Sequence, residues 1–197
     1  MANWGVHYFD AIRWIVGETA PSAVVGCGGV YAVDVCRTNP DTTEVIFAHA
    51  SGMLTIFSTF EASGQPLLRT GEIEIRGTKG AIYATMNRVK IVPEEGGRFQ
   101  DKRPRREPLV LENHDGYKEL DEAHARNFLD CVKSRSKPNC DVEEGHRSTS
   151  YALLADIALA TKARLVWDAK AECVTNNNDA IGLLDYEYRK PWANNRV

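Results

Sequence analysis

The sequence lacks the features of membrane, secreted and nucleic-acid-binding proteins. No apolar run approaches the roughly 18 residues that a transmembrane helix needs, so we expect no membrane association. Basic residues are not in excess, since 24 Lys and Arg stand against 27 Asp and Glu and give a net charge of −3. This balance disfavours binding to phosphate backbones. The first residues also lack the basic and apolar regions of a secretory signal peptide.

Cysteine is sparse, and its spacing indicates neither zinc nor a disulfide framework. The chain has 5 cysteines, an odd number, and no CxxC pair. They are Cys27, Cys36, Cys131, Cys140 and Cys173. Reduced thiols are therefore expected, and a cytoplasmic location follows as the default.

The familiar nucleotide and hydrolase motifs are also missing. No P-loop, HExxH or GxSxG sequence occurs. The segment from Gly26 to Tyr31 begins like a dinucleotide fingerprint but has Tyr31 where the third glycine should stand. Because the sequence beyond it continues as strand and turn, no helix N-terminus follows to hold a pyrophosphate. We predict strand glycines here, and no cofactor or metal bound by this chain alone.

What is present is the composition of a globular domain. Hydrophobic residues make up 43% and charged residues 26% of the 197 residues. A chain of this length buries roughly 70% of its unfolded surface, which is enough for one core. We therefore expect a single domain over residues 1–197.

Hydrophobic periodicity and turn residues predict the order helix, strands, helices. Helices are expected at 3–16, with Asn3 as the N-cap and Gly17 as the stop, at 118–134, at 141–163 and at 177–188. Strands are expected at 23–32, 43–50, 53–62, 72–76, 81–85, 88–92 and 164–167. Short connections join antiparallel neighbours, so we predict an α+β fold with one mostly antiparallel, open sheet.

Two of these strands carry apolar side chains on both faces. In 44–48 and 53–60 such residues occupy odd and even positions alike. Helices can cover one face, and a second copy of the sheet is the simplest cover for the other. We therefore predict a homodimer or higher homo-oligomer.

The first helix holds the candidate chemistry. Asn3, His7 and Asp10 are four and three residues apart, so their side chains project toward one side of a helix. A histidine beside a carboxylate is suited to proton transfer. The alternatives are a packed structural histidine, or a hydrolase metal site that uses His7, Asp10 and a further histidine. The second has no supporting ligand spacing.

Several segments resemble, in order, the C-terminal domain of the Gfo/Idh/MocA family, named for glucose-fructose oxidoreductase, inositol dehydrogenase and the rhizopine catabolism protein. They are Asn3-Trp4-Gly5-Val6-His7-Tyr8-Phe9-Asp10, Asp41-Thr42-Thr43-Glu44, Arg76-Gly77-Thr78-Lys79-Gly80, Arg126-Asn127-Phe128-Leu129-Asp130, Glu144-Gly145-His146-Arg147 and Tyr188-Arg189-Lys190-Pro191-Trp192. No segment is specific alone, but the ordered set is.

The resemblance implies an NAD(P)-dependent oxidoreductase of which only the second domain is present. Family members resemble one another in having an N-terminal Rossmann domain and a C-terminal domain that contacts a sugar or polyol and pairs by its open sheet face. No Rossmann domain is expected in this chain. NAD or NADP is implied for the full-length enzyme, and the chain alone is expected to be inactive.

The resemblance also assigns site residues. His7 matches the family histidine, while Asn3 stands where the family has an Asp that shares a proton with it. An amide hydrogen-bonds but takes up no proton at neutral pH. We assign His7 and Asn3 to catalysis, and Asp10 and Trp4 to substrate binding. The alternative is a stand-alone, non-catalytic sugar-binding or interaction module derived from the family.

Overall fold

The computed structural model describes residues 2–33, 36–63, 72–96, 102–114, 116–186 and 188–191. The chain divides into two compact units. Unit 1 comprises Met1–Gly64 and Val142–Val197, and unit 2 comprises Gln65–Asp141. The assignment of residues 1–197 to a single domain stays a prediction.

Within the described residues there are four helices and nine strands. The helices are α1 (Ala2–Val16), α2 (Tyr117–Ser134), α3 (Val142–Thr161) and α4 (Asn178–Gly182). The strands are β1 (Ala23–Gly29), β2 (Thr42–Ala48), β3 (Leu54–Phe60), β4 (Ile73–Gly77), β5 (Gly80–Ala84), β6 (Arg88–Pro93), β7 (Leu109–Glu112), β8 (Leu165–Asp168) and β9 (Cys173–Val174).

Unit 1 is built on a five-stranded antiparallel sheet. Its strand order is β3-β2-β1-β8-β9. In the register of β2 with β3, Val45 pairs with Phe57 and Ile46 with Ile56. Because side chains alternate between faces, this register places Val45 and Phe57 on one face and the two isoleucines on the other.

Helices α1 and α3 pack on the inner face, where aromatic rings form the centre of the core. The Phe9 ring of α1 lies 5.0 Å from Phe47, 5.1 Å from Phe57 and 5.6 Å from Tyr151. Phe47 and Tyr151 are 5.3 Å apart. These centroid distances are those of favourable aromatic pairs, so α1, the sheet and α3 meet at one cluster.

The outer face of the same sheet carries exposed apolar side chains. Ile46, Leu54, Ile56 and Phe60 are all exposed, Ile56 by 61%. The sequence pattern that gave these strands two apolar faces is therefore confirmed. In the described part of unit 1, α1 and α3 cover the inner face.

Unit 2 contains a four-stranded antiparallel sheet in the order β4-β5-β6-β7 and the helix α2. The register aligns Ile75, Ile82, Ile91 and Leu109 across the four strands, which gives one apolar face. Helix α2 ends at Arg135 in the left-handed conformation, a common way to stop a helix.

The α+β class, the antiparallel pairing and the helices on one sheet face are confirmed. The described strands form two sheets rather than the single sheet expected, and β7 and β9 lie where no strand was predicted. Asn3 lies inside α1 rather than at its cap, and α4 is shorter than the predicted helix 177–188. Trp192 lies outside the described residues.

The glycine-rich segment at 26–29 lies within β1, as predicted. A Cβ atom at Gly28 would stand 2.5 Å from the backbone oxygen of Thr42 on β2. Glycine is therefore required here by the close approach of two strands, and not by a phosphate. Among the described residues no helix is long and apolar enough to span a membrane.

The buried and exposed sides of α1 give a first prediction. Replacing Phe9 by Ala should lower the free energy of unfolding by about 3–5 kcal/mol, since the ring fills the centre of the core. Trp14→Ala on the same helix is the matched control, because Trp14 is 86% exposed, and should change stability by no more than about 0.5 kcal/mol. Urea denaturation followed by circular dichroism measures both values, and equal losses would contradict this placement of α1.

Candidate functional site

Helix α1 carries all four residues assigned to the site from sequence. Asn3, Trp4 and His7 are exposed and Asp10 is half-buried. Asn3, His7 and Asp10 share one side of the helix through their spacing of four and three residues. The structure thus brings the predicted residues together on one accessible surface, with Trp4 beside them on the same helix.

An adjoining side of α1 is buried through Gly5, Phe9 and Arg13. These positions are four residues apart, the repeat of a helix face. Trp4 and Trp14 of the same helix are both exposed. A charged residue, Arg13, therefore lies on the buried side of the helix.

Arg13 clamps α1 to α3. Its side chain is only 5% exposed, and its Nη2 donates to Glu144 Oε2 at 2.9 Å. Nη1 donates to the Glu144 backbone oxygen at 3.2 Å and Nε to the Thr19 oxygen at 3.4 Å. A buried cation is tolerated only when it is paired and hydrogen-bonded in this way. The Glu144 carboxylate of α3 is thus engaged with Arg13 of α1.

Asp10 is tied into this clamp through Ser148 of α3. Ser148 Oγ donates to Asp10 Oδ1 at 2.7 Å, and it accepts from Arg13 Nη1 at 2.6 Å. Arg13 Nη1 also lies 4.0 Å from Asp10 Oδ1. The carboxylate next to His7 is thus held by a hydroxyl and balanced by a guanidinium.

A second polar cluster surrounds His49, directly after the end of β2. His49 is buried, with Nε2 2.9 Å from Thr55 Oγ1. Its Nδ1 lies 3.5 Å from Glu18 Oε2 and 3.5 Å from the Tyr151 hydroxyl. Burial lowers the pKa of His49, although the Glu18 carboxylate opposes that shift. Burial likewise raises the pKa of Tyr151.

Asp41 fills a ring of backbone donors that could otherwise bind an anion. Its Oδ2 accepts from the N–H groups of Tyr31, Ala32 and Val33 at 3.0, 2.9 and 2.9 Å. These bonds, led by those from Val33 and Ala32, hold the pKa of Asp41 far below its usual value. Such nests bind phosphates in other folds, but here a carboxylate of the chain occupies the donors.

This part of the chain therefore does not form a dinucleotide-binding loop. The glycine-rich segment is a strand, and the nest that follows it is filled by Asp41. Among the same residues no group of three His, Cys, Asp or Glu side chains is placed to hold a metal ion.

Sequence reasoning missed Arg13, Ser148 and the partners of His49. Arg13 follows the buried Gly5 and Phe9 at intervals of four, and this spacing was the available signal. Ser148 and Glu144 lie four residues apart on α3, more than 130 positions along the chain from Arg13. No local pattern relates such distant residues.

Comparison with known proteins places the fold. A family model described as "Oxidoreductase family, C-terminal alpha/beta domain" matches residues 1–155. No curated protein sequence matches the chain.

Three solved structures illustrate the likeness. Levoglucosan dehydrogenase in complex with NADH and levoglucosan is 16% identical with a TM-score of 0.61, over 83% of this chain and 49% of that one. An oxidoreductase from Agrobacterium radiobacter in complex with NAD+, L-tartaric acid and magnesium is 17% identical, with a TM-score of 0.57 over 83% and 48%. The WlbA dehydrogenase from Bordetella pertussis, in complex with NADH and UDP-GlcNAcA, is 13% identical, with a TM-score of 0.52 over 84% and 44%.

These identities establish a shared fold and nothing finer. The chain spans about half the length of the solved structures that it resembles.

The His49 cluster gives a prediction about pH. The unfolded chain takes up a proton at His49 near a pKa of about 6.5, whereas burial lowers the pKa in the folded chain. Below that pH the unfolded state binds more protons, so stability should fall as the pH falls. Replacing His49 by Gln removes this contribution, and the decline in Tm between about pH 6.5 and 5 should become shallower.

The control is His146→Gln, because His146 is exposed and pairs with Glu172 at 2.7 Å. Thermal unfolding across the pH series measures the slopes. Equal slopes for the wild type and His49→Gln would refute a titrating role of the buried ring.

Proposed function

The chain belongs to this oxidoreductase family, as its C-terminal α/β domain of the Gfo/Idh/MocA type, and on that premise we propose that it is the substrate-binding and oligomerisation half of an NAD(P)-dependent enzyme acting on a sugar, polyol or related compound. One observation carries the proposal: Asn3, His7 and Asp10 share an accessible side of α1. Their helix is anchored to the rest of unit 1 through its buried residues Phe9 and Arg13.

The chemistry proposed for these side chains is recognition of a hydroxyl and movement of its proton. His7 is proposed to orient the reacting hydroxyl or to exchange a proton with it, a role for which histidine side chains are suited. Asn3 supplies an amide that donates and accepts hydrogen bonds, and Trp4 an aromatic surface beside them. Asp10 offers a carboxylate acceptor to a second hydroxyl.

The redox cofactor belongs to the complete enzyme in this proposal. NAD or NADP is implied by the family and is named in the solved complexes above. Because the glycine-rich segment of this chain is a strand and the nest after it is filled by Asp41, we derive no step through the cofactor. The chain alone is proposed to be inactive, and its location to be cytoplasmic.

Asn3 favours a second candidate function. Since an amide cannot share a proton with His7 as the family carboxylate does, the chain could be a non-catalytic sugar-binding or interaction module. Reading the coding sequence upstream of Met1 separates the two. An in-frame Gly-rich βαβ segment favours the oxidoreductase half, whereas a stop codon favours the module.

Sugar binding is tested on the chain itself. NMR titration with levoglucosan should shift the signals of His7 and its neighbours, and His7→Ala should weaken the affinity about tenfold through the loss of a hydrogen bond. His124→Ala, an exposed histidine of α2, is the control and should bind as the wild type does. NADH titrated by fluorescence should show no binding. Unchanged affinity in His7→Ala, or micromolar affinity for NADH, would contradict the proposal.

Oligomerisation is proposed through the outer face of the five-stranded sheet. The exposed Ile46, Leu54, Ile56 and Phe60 form an apolar surface of the kind that marks an interface. Two copies that pair by this face would bury it in an isologous contact.

Lysine substitutions on adjacent residues of β3 test this interface. Ile56→Lys should convert the oligomer to monomer and leave the fold intact, because its side chain is exposed. Phe57→Lys, the matched variant, should unfold the chain, since that ring packs 5.1 Å from Phe9. Light scattering and circular dichroism report the two outcomes. A monomeric wild type, or an Ile56→Lys oligomer, would disprove the assignment.

A further inference from the structure

Ser148 occupies the junction between α1 and α3 and is 1% exposed. Its hydroxyl accepts from Arg13 Nη1 at 2.6 Å and donates to Asp10 Oδ1 at 2.7 Å. A serine hydroxyl has one proton, so the bond accepted from Arg13 leaves that proton for Asp10. The direction of both hydrogen bonds is therefore fixed by the chemistry of the three groups.

Arg13 in turn is held in place by three further hydrogen bonds that its guanidinium donates. Its guanidinium bonds the Glu144 carboxylate at 2.9 Å, the Glu144 backbone oxygen at 3.2 Å and the Thr19 oxygen at 3.4 Å. Because the guanidinium is planar and its donors keep a rigid geometry, these bonds hold it in one orientation. The oxygen of the Ser148 hydroxyl thus accepts a hydrogen bond from a guanidinium whose orientation is fixed.

Asp10 differs from Ser148 and Arg13 because its side chain remains 47% exposed. One carboxylate oxygen is bonded at the buried junction, while the group still reaches solvent on the side of α1 that carries His7. A carboxylate that is fixed by a hydrogen bond to one oxygen presents its acceptors to solvent in a single orientation. Preorganised polar groups of this kind bind hydroxyls more tightly than mobile ones.

We infer that Ser148 is a positioning residue, which holds the Asp10 carboxylate in one rotamer so that it accepts a hydrogen bond from a substrate hydroxyl beside His7. The inference rests on the proposed function, since it concerns the same sugar-binding surface. It adds a residue of α3 to a site whose other members all lie on α1.

A serine that merely packed two helices together would behave differently. Its loss would lower stability but would leave the Asp10 rotamer and the affinity of the folded protein for sugar unchanged. The rotamer and the affinity therefore separate positioning from packing.

The experiment compares the wild type with Ser148→Ala, Ser148→Thr and Ser150→Ala in the full chain. Scalar couplings measured by NMR should show a single Asp10 χ1 rotamer in the wild type and averaging in Ser148→Ala. Levoglucosan should bind Ser148→Ala about tenfold more weakly, the effect of one lost hydrogen bond. Ser148→Thr keeps the hydroxyl and should restore both readouts.

Ser150→Ala is the matched control, because its hydroxyl bonds the His146 oxygen within the same helix, and both readouts should stay as in the wild type. If Ser148→Ala fails to fold, Ser148→Cys replaces it, since the thiol keeps the volume but donates weakly. A single Asp10 rotamer in the folded Ala or Cys variant would overturn the inference, as would unchanged affinity.

If levoglucosan fails to bind even the wild type, the proposed sugar site is overturned for this probe. The Asp10 rotamer in the variants then decides positioning by itself. The two failures are thereby distinguishable.

Discussion

The guanidinium of Arg13 is almost completely buried between α1 and α3. The arrangement of unit 1 follows from the need of this buried charge for hydrogen-bonding partners. A buried cation that lost its partners would be strongly destabilising, so the two helices must keep the spacing and rotation that bring Glu144, Ser148 and Thr19 to it. The aromatic cluster around Phe9 supplies the hydrophobic attraction between the helices and the sheet, but this attraction has no preferred direction. The hydrogen bonds of Arg13 supply that direction, and they determine which side of α1 faces outward.

Much of the fold can be predicted from the sequence. The period of α1, its stop at Gly17 and the apolar residues at both odd and even positions of β2 and β3 are local signals, and the structure contains each of them. The division into two sheets is not local, because it depends on pairings that no turn residue specifies. Strand β7 lies beyond a charged loop, and only its pairing with β6 identifies it. Asn3 lies within α1, although it is the type of residue that commonly caps a helix.

The site divides in the same way. His7, Asn3 and Asp10 could be placed on one helix face by spacing alone. The groups that hold that helix face could not be predicted, because Ser148 and Glu144 are distant from α1 along the chain. Serine and glutamate on a helix are also usually expected to face solvent. The surroundings of His49 are equally non-local, because the carboxylate of Glu18 and the phenol of Tyr151 reach the buried ring from distant parts of the chain.

The distance along the chain between α1 and α3 has a consequence for synthesis. The bonds of Arg13 and Asp10 to α3 join residues 131 to 138 positions apart, and all of unit 2 is made between them. At roughly 5–20 residues per second a ribosome needs on the order of ten seconds to reach α3 after α1. During that interval the charged and aromatic side of α1 has no α3 to pack against. The helix that bears the candidate site therefore acquires its final orientation only after unit 2 and α3 have been translated.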